Sequence, residues 1–119
     1  MCELNLDNLQ HLKIRKIVDG VYAGAQIYKN NITELKQAGV KTIICNRPDN
    51  EDADQPLYAE IEQEALKQGL RIINIPVSNI NQESVDDMGK ALASSPKPIY
   101  AYCRSGGRVT KLCSIIYHL

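Results

Sequence analysis

Residues 99–112 read Ile99-Tyr100-Ala101-Tyr102-Cys103-Arg104-Ser105-Gly106-Gly107-Arg108-Val109-Thr110-Lys111-Leu112. Four apolar residues without a charge make a short buried strand, and a polar, glycine-containing turn follows it. Val109, Leu112, Cys113 and Ile116 then recur at helical spacing and mark the inner face of a helix. A strand, a tight turn and a helix in that order form half of a βα unit. Ligand sites of parallel sheets lie at that end of the strand.

Working backwards, the same grammar repeats. Val85, Met88 and Leu92 have helical spacing, and Pro96 and Pro98 stop that helix. Leu70 to Pro76 is an apolar strand. Pro56 suits the first turn of a helix running to Lys67 or Gln68, which Gly69 closes. Val40 to Cys45 is a second buried strand, followed by the polar loop 46–55. Asn31 reads as a helix cap with Glu34 three residues on, and Gly39 ends that helix. Ile14 to Val18 and Val21 to Ala25 flank Asp19-Gly20, a hairpin signal. Residues 1–13 read as an N-terminal extension and 14–119 as one domain. The expected fold class is α/β, a mainly parallel sheet with helices on both faces.

Composition excludes several functions. The 119 residues carry 14 basic and 14 acidic side chains, a formal net charge of zero. That leaves no field for general nucleic-acid binding. No apolar run reaches the eighteen residues of a membrane span, and residues 1–5 do not read as a secretory leader. The four cysteines, at 2, 45, 103 and 113, form no C-x-x-C pair, and His11 and His118 stand near no second ligand. No disulfide framework, metal site or cofactor is implied. A reducing, cytoplasmic location is expected.

The chemistry concentrates at Cys103. Glycines 106 and 107 let backbone N–H groups turn inward as an anion nest, and the following helix adds its positive end. Arg108 offers a planar fork to an oxyanion. A thiol in that field is expected to ionise below its ordinary value of about 8.5 and to act as a nucleophile. Arg104 contributes its backbone N–H. Ser105 has two readings of equal weight, a hydroxyl donor to the bound anion or a turn former.

The Cys103–Arg108 loop resembles that of rhodanese-type sulfurtransferases, with four residues between cysteine and arginine where cysteine phosphatases usually have five. The shorter loop implies a tighter cradle suited to a persulfide sulfur, the longer one a cradle for a phosphoryl group. Residues 18–24, the helix through Leu35 and strand 40–44 resemble the opening of dual-specificity phosphatases. Together with Asn46-Arg47-Pro48-Asp49, Gln55-Pro56 and the cysteine loop, residues 14–119 resemble the phosphatase-like domain of beta-lactamase-hydrolase-like proteins. That resemblance implies a cysteine-phosphatase fold, and either sulfur transfer or phosphatase activity.

Two departures guide the expectation. The place where dual-specificity phosphatases carry a general-acid aspartate holds Ser78-Asn79. Asn79 can hydrogen-bond to substrate but cannot protonate a leaving alkoxide. Val109 stands where Ser or Thr commonly follows the loop arginine. The leading expectation is therefore a sulfurtransferase passing sulfane sulfur through a Cys103 persulfide, from a small anionic or persulfide donor to an acceptor thiol. The alternatives are a phosphatase working through a Cys103 phosphocysteine and a catalytically weak anion-binding module.

Three secondary expectations complete the reading. Arg47 either binds an anionic substrate or pairs with the acids at 49, 51, 52 and 54, the second having slightly more weight. Cys45 is a candidate resolving thiol for Cys103, against a heavier reading as a small buried hydrophobe. Leu119 ends the final helix in mid-pattern, so a continuing chain or a homo-oligomer through that helix is expected.

Overall fold

The computed structural model describes residues 4–6 and 9–119. Strands β1 (Arg15–Val18) and β2 (Val21–Gly24) form the hairpin, turning at Asp19-Gly20. Helix α1 (Lys29–Ala38), β3 (Thr42–Cys45), α2 (Tyr58–Lys67) and β4 (Arg71–Asn74) follow. Helix α3 (Gln82–Ser94), β5 (Ile99–Tyr102) and α4 (Gly107–Tyr117) complete the chain. The sheet order is β1-β2-β5-β3-β4. Only β1 and β2 pair antiparallel; β2, β5, β3 and β4 run parallel.

Side chains alternate across a strand, so each strand feeds two cores. Tyr22, Ile43, Cys45, Tyr100 and Tyr102 face one side, where Ile32 and Leu35 of α1 and Ile61 and Ala65 of α2 cover them. Val21, Ala23, Ile44, Ile99, Ala101 and Cys103 face the other, beneath Met88 and Leu92 of α3 and Val109, Leu112 and Cys113 of α4. Each fully buried Ile or Leu side chain contributes about 1.5–3 kcal/mol to holding these layers together. The central strands β2, β3 and β5 are buried throughout, which explains their uninterrupted apolar runs. This is the α/β fold expected from the sequence, a mainly parallel sheet with helices on both faces.

Local details differ from the sequence reading. Helix α1 begins two residues before Asn31, capped at Tyr28. The Asn31 carboxamide oxygen accepts the Tyr28 N–H at 2.8 Å, so Asn31 closes the cap from inside the first turn. Pro56 precedes α2, whose cap is Leu57. There the Glu60 carboxylate accepts the Leu57 N–H and does the capping instead. Among residues 4–13, Leu4, Leu9 and Leu12 are buried in the α1/α2-side core, and the Leu12 carbonyl accepts the Ala25 N–H at 2.9 Å. Among the described residues no helix is long and apolar enough to cross a membrane.

Candidate active site

Strand β5 delivers Cys103 to the carboxyl edge of the sheet, and α4 starts four residues later. The turn between them closes on the sulfur: the Gly106 N–H donates to Cys103 Sγ at 3.2 Å. Gly106 caps α4 with φ 95°, a left-handed conformation that costs other residues roughly 1–2 kcal/mol. Sterics reinforce that demand, because a Cβ at Gly106 would lie 3.3 Å from the Gly24 backbone. Gly24 is constrained in turn, since a Cβ there would collide with the Tyr100 ring. Tyr100 is fixed by donating its hydroxyl to the Ala25 carbonyl at 2.6 Å. Gly107 carries no such restriction; its nearest neighbour would be Ser105 Oγ at 3.8 Å.

The β2–α1 connection holds the rest of the loop. The Gln26 N–H donates to the Arg104 carbonyl at 3.2 Å, and the Cys103 N–H reaches the Gly24 carbonyl at 3.4 Å. The Arg104 and Ser105 side chains are exposed at the mouth. Val109 is fully buried in the α3/α4-side core. Thr110 donates its hydroxyl back to the Gly106 carbonyl at 2.8 Å, stabilising the turn rather than facing the sulfur.

Arg108 is anchored on one side only. Its Nη1 donates to the carbonyls of Val77 (2.9 Å) and Asn46 (3.3 Å), and its Nη2 meets the Glu51 carboxylate at 3.1–3.2 Å. The Nε–H has no protein acceptor among the described residues, while Nη2 lies within reach of both Glu51 oxygens. That Nε–H is the donor the guanidinium keeps for an oxygen of a tetrahedral anion.

Arg47, only 4% exposed, lies below this ensemble. It donates to Glu51 (3.2 Å), Asp52 (2.6 Å) and the Gln26 carboxamide (3.0 Å). Of its two readings, the pairing with neighbouring acids is the arrangement seen. Partial burial pushes the Glu51 carboxyl up, but hydrogen bonds from Arg108 and Arg47 outweigh it and hold the group below its ordinary range. Asp52 also approaches Arg104 Nε at 3.6 Å.

Cys45 does not meet Cys103. It pairs in register with Tyr102, one residue short of Cys103, so the two thiols point to opposite faces of the sheet. Cysteines whose Cβ vectors diverge cannot be bridged without backbone movement, which removes direct resolution of Cys103 by Cys45. Cys45 donates to the Arg47 carbonyl at 3.3 Å, and burial pushes its thiol pKa up. Burial likewise pushes Cys113 up to about 11. Cys2 lies outside the described residues. Asn79 is exposed on the wall of a depression of about 280 Å³ that also takes in Val77, Ser78, Glu83 and Asp87.

Asn46 is the residue the sequence reading missed. Fully buried, it donates its N–H to the Tyr102 carbonyl and accepts Arg108 on its own carbonyl. Its carboxamide donates to the Ile75 carbonyl at 3.0 Å. One residue, through its backbone and its carboxamide, thereby ties β5, the segment after β4 and the loop arginine together. The available signal was a buried strand ending directly on an amide before a charged loop.

Residues 13–118 match the family described as beta-lactamase hydrolase-like protein, phosphatase-like domain. No curated protein matches the chain. Among solved structures, a candidate phosphatase from Neisseria meningitidis is 30% identical, with 98% of this chain and 74% of that one covered and a TM-score of 0.69. A candidate phosphatase from Shewanella putrefaciens superposes with a TM-score of 0.83 at 21% identity, covering 94% and 75%. The core catalytic domain of a PP-IP phosphatase from S. cerevisiae, bound to citrate, shares the fold at 17% identity (TM-score 0.71; 88% and 64% covered).

These matches correct the expectation of sulfur transfer, because the family and its structural neighbours are phosphatase-like. The inference from loop length failed for a physical reason. It assumed that one residue fewer tightens the cradle, whereas the guanidinium is set by the Asn46 and Val77 carbonyls, outside the loop. With the match running from residue 13 to 118 on a fold that presents Cys103 at a strand end, the chain belongs to the phosphatase-like domain family of beta-lactamase hydrolase-like proteins.

Proposed function

We propose that this protein is a cysteine-based phosphatase acting on phosphomonoesters with good leaving groups. The observation that carries the reading is the Cys103 sulfur beneath the Gly106 N–H, at the start of α4, with the Arg108 Nε–H left over. Cys103 attacks phosphorus as the thiolate. The S–P bond forms as the P–O bond to the leaving group breaks, and the departing oxyanion takes its proton from water. Water then attacks the phosphocysteine, the S–P bond breaks, and inorganic phosphate leaves with the thiolate restored. Inward N–H groups and the Arg108 fork stabilise the charge that builds on the equatorial oxygens in both steps.

The leaving group is the discriminating feature. Ser78 and Asn79 supply no acid, so expulsion depends on the leaving group's own stability as an anion. Aryl phosphates and phosphoanhydrides meet that condition, and simple alkyl phosphates do not.

The test is hydrolysis of p-nitrophenyl phosphate by wild type and Cys103→Ser, with mass spectrometry of acid-quenched enzyme for a phosphoryl adduct on the Cys103 peptide. Turnover that vanishes in Cys103→Ser, together with the adduct, supports the reading. Equal rates in the two proteins would sink it.

A further inference from the structure

We propose that Arg47 is a positioning residue that sets the two arginines of the cysteine loop through a pair of carboxylates, and does not itself hold substrate. The inference rests on the phosphatase reading and deepens it.

The geometry is a two-armed bracket. Arg47 is buried at 4% exposure and sends a separate donor to each of two adjacent acids: Nε to Glu51 at 3.2 Å and Nη2 to Asp52 at 2.6 Å. Each acid also meets one arginine of the cysteine loop, Glu51 by a hydrogen bond and Asp52 by a looser ion pair at the surface. Glu51 takes Arg108 Nη2 at 3.1 Å, and Asp52 approaches Arg104 Nε at 3.6 Å. The remaining nitrogen, Nη1, is spent on the Gln26 carboxamide at 3.0 Å. Gln26 belongs to the connection whose own N–H grips the Arg104 carbonyl. Every nitrogen of Arg47 thus ends on a group that touches the cysteine loop or one of its arginines.

Chemistry explains why this residue is an arginine. Only a planar fork with donors in fixed directions can bond two carboxylates and an amide at once; a lysine ammonium would serve as a point charge on a flexible stem. Glu51 shared between Arg47 and Arg108 cannot follow Arg108 toward the substrate. It therefore holds Nη2 and leaves the Nε–H for the anion. A misplacement of the oxyanion ligand by about 1 Å can cost on the order of a hundredfold in rate.

The experiment is a double-mutant cycle with Arg47→Lys, Glu51→Gln and the pair. We would measure kcat and KM on p-nitrophenyl phosphate, affinity for orthovanadate, and melting temperature. If Arg47 acts through Glu51, each single change lowers kcat/KM at least tenfold, chiefly in kcat. The double variant then loses no more than the worse single one, and vanadate affinity follows the same non-additive pattern. Multiplying losses, or a rise in KM alone for Arg47→Lys, would mean direct substrate contact and overturn the proposal. Losses that track the melting temperature while vanadate affinity stays unchanged would assign a purely structural role and overturn it equally. Should wild type be inert toward the phosphoester, the phosphatase reading fails. The cycle on vanadate affinity still decides the bracket, because that binding needs the Cys103 sulfur, the cradle and Arg108 but no turnover.

Discussion

The backbone N–H of Gly106 points at the Cys103 sulfur over 3.2 Å, and it can do so only because Gly106 is left-handed and lies against Gly24. A side chain there meets both a strained φ and backbone atoms at 3.3 Å. Gly107, the first residue of α4, meets neither obstacle. Gly106→Ala is expected to lower kcat for p-nitrophenyl phosphate at least a hundredfold, the scale of losing one oxyanion donor. Gly107→Ala is expected to stay within a few-fold of wild type. Equal damage from both would show that the loop as a whole, and not the Gly106 turn, creates the cradle.

Without an acid at Ser78 or Asn79, the rate should follow leaving-group acidity steeply. General acid catalysis contributes typically 10²–10⁴-fold. We expect p-nitrophenyl phosphate to be hydrolysed at least about a hundredfold faster than an alkyl phosphate of similar size. A flat dependence across substituted phenyl phosphates would reveal a proton donor elsewhere in the site.

Burial keeps the thiols of Cys45 and Cys113 protonated well above neutrality, the latter up to about 11. Brief iodoacetamide treatment at pH 7.5, read peptide by peptide, should label Cys103 and leave Cys45 and Cys113 free. Raising the pH toward 11 should bring in Cys113 only as its thiolate appears. Because the Cys45 and Cys103 side chains stand on opposite sides of β3 and β5, mild peroxide should give no disulfide between them. A Cys45–Cys103 cross-linked peptide from native protein would contradict the fold described above.

Glu51 links stability to acid. Its folded-state pKa lies below the ordinary value of 4.5 because the bonds from Arg108 and Arg47 outweigh desolvation. The unfolded chain therefore takes up the proton first as pH falls. The stabilisation is present in full above pH 4.5 and fades as pH drops through the lower folded value. Wild type should exceed Glu51→Gln by about 0.5–1 kcal/mol at pH 7. In urea titrations that gap should narrow as pH falls below 4.5. A gap independent of pH would mean that the carboxamide loses packing, not charge.

Much of the architecture was legible because it is local. Alternating apolar runs, a glycine at φ 111° after α1 and the strand running into Cys103 each report on a few neighbouring residues. Such signals survive without knowledge of distant partners. Helix starts were less legible. At Asn31 and Pro56 two capping solutions compete within a turn, and the backbone took the one that let side-chain oxygens reach back to it.

The sequence by itself determined an α/β sheet, the position of Cys103 at its carboxyl edge and the glycine turn into α4 that follows. All three depend on residues adjacent along the chain. Tertiary structure alone decided that Asn46 and Val77 aim Arg108, that Glu51 reaches Arg108 across the fold, and that Cys45 faces away from Cys103. Those outcomes depend on strand order and on the parity of β3 against β5. A pairing register assigns each side chain to one face, and no stretch of neighbouring residues encodes it.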